Sequence, residues 1–141
     1  MLSFQYQNLY AKTEKTRFFD ENREKSSEYG EIDKAAEMLD SLDNIRKEIR
    51  LKFKRLTQQE MLVFSTIYQL EEQNPGKTNY QIIAKTIKLS QSSIRDYVQR
   101  MINKGIPIKK HKINNKKIFV SISPELKKIT TLSTIIQLRG L

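Results

Sequence analysis

Hydrophobic residues recur with helical spacing in two short stretches of the chain, on either side of a polar turn at residues 88–90. In the first stretch, Ile82, Ile83 and Ile87 mark one side of a helix. In the second, the apolar residues stand at i, i+4 and i+7: Ile94, Val98 and Met101. Ser90 is a favoured N-cap for that second stretch. The pattern predicts two helices joined by a tight turn, the second over residues 91–104.

A longer pattern precedes them, in which apolar residues alternate steps of three and four as in a heptad repeat. Its positions are Ile32, Ala35, Leu39, Leu42, Arg46, Ile49, Phe53 and Leu56, of which Arg46 is the one charged residue. We predict an amphipathic helix over residues 32–55. Its apolar face needs a partner, either the same helix of a second copy in a coiled coil or the domain on which the helix folds back. Residues 1–31 form an N-terminal segment with a weaker pattern, for which we expect a helix over residues 4–19 and a break near Gly30.

Helix start and stop signals frame a domain over residues 56–123. Thr57 and Glu60 have the spacing of a capping box, and Pro75 ends the helix that they begin. Pro124 marks another start, and the apolar residues that follow predict one C-terminal helix over residues 124–141. These residues are Leu126, Ile129, Leu132 and Ile136, with Ile135 and Leu138 beside them.

A β-hairpin is predicted between the second short helix and the C-terminal helix. Gly105 suits the left-handed conformation in which many helices end, and it lets the chain reverse. Residues 106–113 and 116–122 then read as strands around Asn114 and Asn115, since asparagine tolerates positive φ better than most residues.

The polar side of the helix over residues 91–104 carries short or hydrogen-bonding side chains, which suit contacts with base edges and phosphates. Here the sequence resembles the helix-turn-helix of winged-helix DNA-binding regulators, above all the small regulators of archaea. The matching residues are 81–84, 89–90, 92–95 and 103–106, and the predicted hairpin stands in the place of the wing. The resemblance implies a mainly α fold with a small β-hairpin wing, a winged helix-turn-helix preceded by a long N-terminal helix.

Positive charge is concentrated in the same part of the chain. The net charge is +10, and residues 56–141 hold 14 Lys+Arg against 5 Asp+Glu. Residues 88–117 contain a single acid, Asp96, among these basic residues: Lys88, Arg95, Arg100, Lys104, Lys109, Lys110, Lys112, Lys116 and Lys117. Such a surface attracts a polyanion. The alternative is a lysine-rich hairpin that only protects a strand edge and keeps the chain soluble.

Composition argues against enzymatic chemistry and against a membrane protein. The chain has no cysteine, four glycines and one histidine, His111, so we expect no catalytic residues, no metal site and no cofactor. Hydrophobic residues make up 38% and charged residues 30%, without an apolar run long enough to span a membrane and without a signal-peptide pattern. A cytoplasmic protein of the nucleoid is expected.

These observations predict a sequence-specific double-stranded DNA-binding protein, a transcriptional regulator with the helix over residues 91–104 in the major groove and the lysine-rich wing on the phosphate backbone. We expect a homodimer through residues 32–55, the C-terminal helix, or both. Among the predicted DNA-binding residues, those expected to face the bases of the major groove are Ser92, Ser93, Arg95 and Gln99. The lysines expected to grip the flanking backbone are Lys109, Lys110, Lys112, Lys116 and Lys117, and further phosphate contacts are expected from Gln91, Arg100 and Tyr80. The alternative is a winged-helix adaptor in a larger assembly, which would use the coiled coil and the C-terminal helix.

Overall fold

Helices make up most of the chain, and an antiparallel two-stranded hairpin follows them in the computed structural model. The structure describes residues 25–115 and 117–141. The elements are α1 (Lys25–Lys54), α2 (Gln58–Gln73), α3 (Tyr80–Ile87), α4 (Gln91–Asn103), β1 (Ile108–Asn114), β2 (Lys117–Ile122), α5 (Pro124–Ile129) and α6 (Leu132–Gly140). The chain divides into two compact units, residues 1–47 and 48–141.

Most of α1 belongs to the first unit. The helix begins at Lys25, earlier than the predicted residue 32, and it continues through Gly30. The predicted break at Gly30 is therefore wrong, because one glycine costs a helix interior only about 1 kcal/mol and Glu31 beside it is a good helix former. Along the heptad pattern of this unit, Leu39 is buried while Ile32 and Leu42 are half-buried. The helix predicted over residues 4–19 lies outside the described residues.

The core of the second unit lies between the end of α1 and the inner face of α2. Phe53 and Phe64 are fully buried, and their ring centroids lie 4.8 Å apart in an edge-to-face arrangement. The predicted capping box of Thr57 and Glu60 is confirmed, and it fixes the start of α2. Because Phe53 continues the heptad pattern, this part of the pattern serves the unit's own core.

Side chains from distant parts of the sequence hold the C-terminal end of α1. Arg139 on α6 donates from Nε to the carbonyl of Phe53 (3.1 Å) and from Nη2 to the carbonyl of Leu56 (2.9 Å). Lys104, just after α4, donates to the carbonyl of Arg55 (3.0 Å). Carbonyls at and just beyond a helix C-terminus have no partner within the helix, and these two cations supply side-chain donors to them.

The hairpin forms where the sequence predicts it, with a register that the sequence does not determine. Ile108 pairs with Ile122, and the pairing shifts between Lys112 and Asn114. The Asn114 carboxamide accepts a hydrogen bond from the N–H of Lys117 (2.9 Å), which closes the turn. Neither Asn114 nor Asn115 has positive φ, so the expected reason for asparagine here is wrong. The Val120 N–H also donates to the carbonyl of Thr78 (2.9 Å), which ties β2 to the residues before α3.

The single C-terminal helix predicted over residues 124–141 is two helices. Thr130 has extended backbone angles, and the Thr131 side chain accepts from the N–H of Thr134 as the N-cap of α6. The two β-branched threonines favour extended backbone and helix capping, and here this preference outweighs the apolar repeat that predicts one continuous helix. The change of direction buries Ile135 and leaves Ile136 exposed, contrary to the predicted stripe.

Candidate functional site

Backbone signals on both sides of the short turn orient α4 in the second unit. Lys88 has φ 59°, a left-handed conformation that ends α3 and reverses the chain. Ser90 caps α4 by accepting from the N–H of Ser93 (3.1 Å). The predicted apolar stripe is buried as expected: Ile94, Val98 and Met101. The opposite face of α4 therefore remains available to a partner.

Most of the predicted binding residues of α4 are exposed. The exposed ones are Gln91, Ser92, Arg95, Gln99 and Arg100. Ser93 is half-buried, and its hydroxyl accepts from the hydroxyl of Ser90 (2.8 Å). The Ser92 hydroxyl also lies 3.2 Å from that of Ser90, but Ser92 is exposed whereas Ser93 is half-buried.

Two arginines of α4 lie over tyrosine rings. The guanidinium of Arg95 is 5.7 Å from the ring centroid of Tyr80, and that of Arg100 is 5.6 Å from the ring centroid of Tyr97. Burial raises the pKa of the Tyr80 phenol, and the charge of Arg95 opposes this rise. Because the Tyr80 hydroxyl is itself buried, the predicted phosphate contact by Tyr80 is wrong. The ring instead supports Arg95 from below.

The register of the hairpin divides its lysines between two faces. Lys110 stands opposite the fully buried Val120, so it belongs to the face turned toward the helices, and Lys112 follows it two residues on. Lys109 stands opposite Ser121 on the other face. Lys117 is exposed at the start of β2, and Lys116 lies outside the described residues. The predicted lysines therefore do not form a single row.

One hairpin lysine meets the exposed face of α4 directly. The Nζ of Lys110 donates to the Oε1 of Gln99 (2.7 Å), and the Nε2 of Gln99 donates to the Oδ1 of Asn103 (3.0 Å). The contact joins β1 to the last turns of α4 across an exposed surface. It makes the polar face of the helix and one face of the hairpin continuous.

The other face of the hairpin borders a separate cleft of about 520 Å³. Lys109, His111 and Phe119 lie along it, together with Glu71 of α2 and Lys127 of α5. The pKa of Glu125 nearby lies below its ordinary value because the Ser123 hydroxyl hydrogen-bonds to it, with Lys109 among the smaller causes. Lys109 thus lies near a carboxylate and away from the Lys110–Gln99 contact.

Lys104 is withdrawn from the positive surface by an ion pair that the sequence does not indicate. Its Nζ lies 2.5 Å from the Oε1 of Glu60, whose side chain is 1% exposed. Burial raises the pKa of Glu60, but hydrogen bonds from Lys104 and from the Thr57 N–H outweigh it and leave the pKa below the ordinary glutamate value. Lys104 therefore serves the fold and compensates a buried charge.

The described ranges contain no cluster of three or more His, Asp or Glu side chains that could hold a metal ion. Within the same ranges, no helix has the length and apolar character needed to cross a membrane. No protein-family model matches the chain, and no curated protein matches it. What the chain binds must therefore be inferred from its own residues.

Proposed function

We propose that the chain is a winged helix-turn-helix protein that binds double-stranded DNA in a sequence-specific manner and regulates transcription in the cytoplasm, at the nucleoid. In this proposal, α3 and α4 form the helix-turn-helix, α4 enters the major groove, and the hairpin is the wing. Ser92 and Arg95 face base edges, while Gln91, Lys110, Lys112 and Lys117 contact the phosphate backbone.

The observation that carries the proposal is the hydrogen bond from Lys110 to Gln99, at 2.7 Å. A lysine-rich hairpin whose charges pointed away from α4 would fit the alternative of a solubilising edge. Here a hairpin lysine reaches the exposed face of the helix, and Arg95 on that face rests on the Tyr80 ring at 5.7 Å. Cations from both elements can therefore meet one polyanion.

We further propose that two copies act together, through residues 32–55, the C-terminal helices, or both. Within the first unit, Met38 is 65% exposed beside the half-buried Leu42 on α1. In the second unit, Ile136 of α6 is 51% exposed. Apolar side chains at these levels of exposure gain from burial against a second copy, and a dimer would place two α4 helices on successive half-sites.

The test selects bound fragments from random duplex DNA and compares two variants on the recovered sequence. Arg95→Ala is expected to reduce discrimination at one position by about 10-fold, because a bidentate base contact is lost. Replacing both Lys112 and Lys117 with alanine is expected to lower the affinity for all sequences alike. The slope of the logarithm of the binding constant against the logarithm of the salt concentration should become shallower by about 1 per lysine. Lys128→Ala, which removes an exposed lysine of α5, is the control.

Equal losses on every duplex for both variants would contradict sequence reading by Arg95. An absence of binding to random duplex at low salt would remove the DNA-binding proposal altogether. In that case, the adaptor in a larger assembly becomes the better hypothesis, with α1 and the C-terminal helices as its contact surfaces.

A further inference from the structure

A row of three hydrogen-bonded side chains crosses from β1 to the end of α4. Lys110 donates to the Oε1 of Gln99 (2.7 Å), and Gln99 donates from Nε2 to the Oδ1 of Asn103 (3.0 Å). All three residues are exposed. The row therefore lies on the surface where α4 and the hairpin meet.

The charge of Lys110 sets the direction of both amides. If the Gln99 amide were flipped, its NH₂ group would face the Lys110 ammonium, and two donors would oppose each other. With Oε1 toward Lys110, the Nε2 of Gln99 points to Asn103, whose Oδ1 must accept. The Asn103 NH₂ group is then left to donate outward. The row offers solvent mainly donors, and its one full charge is positive.

This arrangement suits a phosphate better than a base edge. A glutamine that reads adenine uses its carbonyl oxygen and its NH₂ group together, and in Gln99 both already have partners. To read a base, Gln99 would have to release its bond to the charged lysine. A phosphate oxygen only accepts, so it can take the remaining hydrogens of Lys110 and Asn103 without breaking the row that Gln99 holds together.

Other charges confine the site to the last turns of α4. Asp96 lies one turn before Gln99 on the exposed side, and its carboxylate repels phosphate. The negative end of the helix dipole near Asn103 also opposes an anion, but it amounts to about half a charge. Lys110 and the neighbouring Arg100 each bring a full positive charge.

We propose that Lys110, Gln99 and Asn103 form a phosphate-binding site, in which Gln99 positions Lys110 and does not read a base. For duplex DNA this inference rests on the proposed function, and it assigns base reading to the first turns of α4 and a phosphodiester to its end. It replaces the expectation that Gln99 contacts a base.

The first experiment uses inorganic phosphate as the probe and does not depend on DNA. Side-chain amide signals of Gln99 and Asn103 are followed by two-dimensional NMR while phosphate replaces chloride at constant ionic strength. Both signals are expected to shift in the wild-type chain and in Lys109→Met, the matched control on the other hairpin face. They should stay in place in Lys110→Met. Unchanged wild-type signals would overturn the proposal.

The second experiment is a double-mutant cycle on duplex DNA with Gln99→Met and Lys110→Met. Each variant is expected to lower the affinity for all duplexes by the same factor, whatever their sequence. The preferred sequence should stay unchanged. The double variant should bind as Lys110→Met does, because Gln99 acts through Lys110. A change of preferred base in Gln99→Met, or losses that multiply, would overturn the positioning role. Phosphate shifts without duplex binding would instead remove the DNA-binding function and leave the phosphate site intact.

Discussion

The ion pair of Glu60 and Lys104 links the start of α2 to the end of α4, and we expect it to matter for stability. Lys104→Met leaves the almost fully buried Glu60 carboxylate without its cation. Because the Lys104 side chain is 32% exposed, the expected loss is about 2 kcal/mol, below the usual range for a fully buried pair. Urea unfolding measures it, with Lys128→Met as an exposed control that should change stability by less than about 0.5 kcal/mol.

The same carboxylate predicts how stability depends on pH. The pKa of Glu60 is lower in the folded chain than its ordinary value, so the unfolded chain takes up the proton first as pH falls. Its contribution is present above about pH 4.3 and disappears as pH falls through the lower folded pKa. Glu60→Gln should therefore flatten the acid side of the curve of unfolding free energy against pH. A wild-type curve parallel to that of Glu60→Gln below pH 5 would refute this assignment.

Two helices of the second unit end at residues with positive φ. Gly105 has φ +88°, and Lys88 has a left-handed φ of 59° without being glycine. Gly105→Ala is expected to destabilise the chain by about 1 kcal/mol, whereas Lys88→Gly should stabilise it by about the same amount. Thermal unfolding of the two variants compares them directly. A stabilising Gly105→Ala would mean that the hairpin can leave α4 along another path.

Local signals predict the elements of this chain well, because each acts within a few residues. The capping box at Thr57, the N-cap at Ser90 and the turn glycine at Gly105 are all where they were expected. The apolar repeat predicts one C-terminal helix where the chain has two, because the repeat does not reflect the extended preference of Thr130 and Thr131.

Contacts between distant residues could not be predicted in the same way. The sequence places lysines on the hairpin, but the strand register decides that Lys110 meets Gln99 and that Lys109 does not. Lys104 reads as one more surface cation until the fold brings it to Glu60. The sequence therefore predicts which elements carry these polar side chains, whereas the contacts between the elements come only from the fold.

For the molecule as a whole, the proposed DNA recognition depends most on the number of copies that act together. If two copies pair as proposed, the full chain should sediment as a dimer at tens of micromolar. Met38→Glu on α1 and Ile136→Glu on α6 each place a charge in one candidate surface, and the variant that sediments as a monomer identifies the contact. A wild-type monomer at that concentration would contradict pairing.

The attachment of Arg139 to the end of α1 also bears on synthesis at the ribosome. The two carbonyls that it satisfies belong to Phe53 and Leu56, more than eighty positions earlier in the chain. While the chain is still being translated, α2 to α4 can collapse around Phe64, but this closing contact must wait until Arg139 has left the exit tunnel. The second unit is therefore expected to reach its full resistance to proteases only after Arg139 has emerged and made this contact.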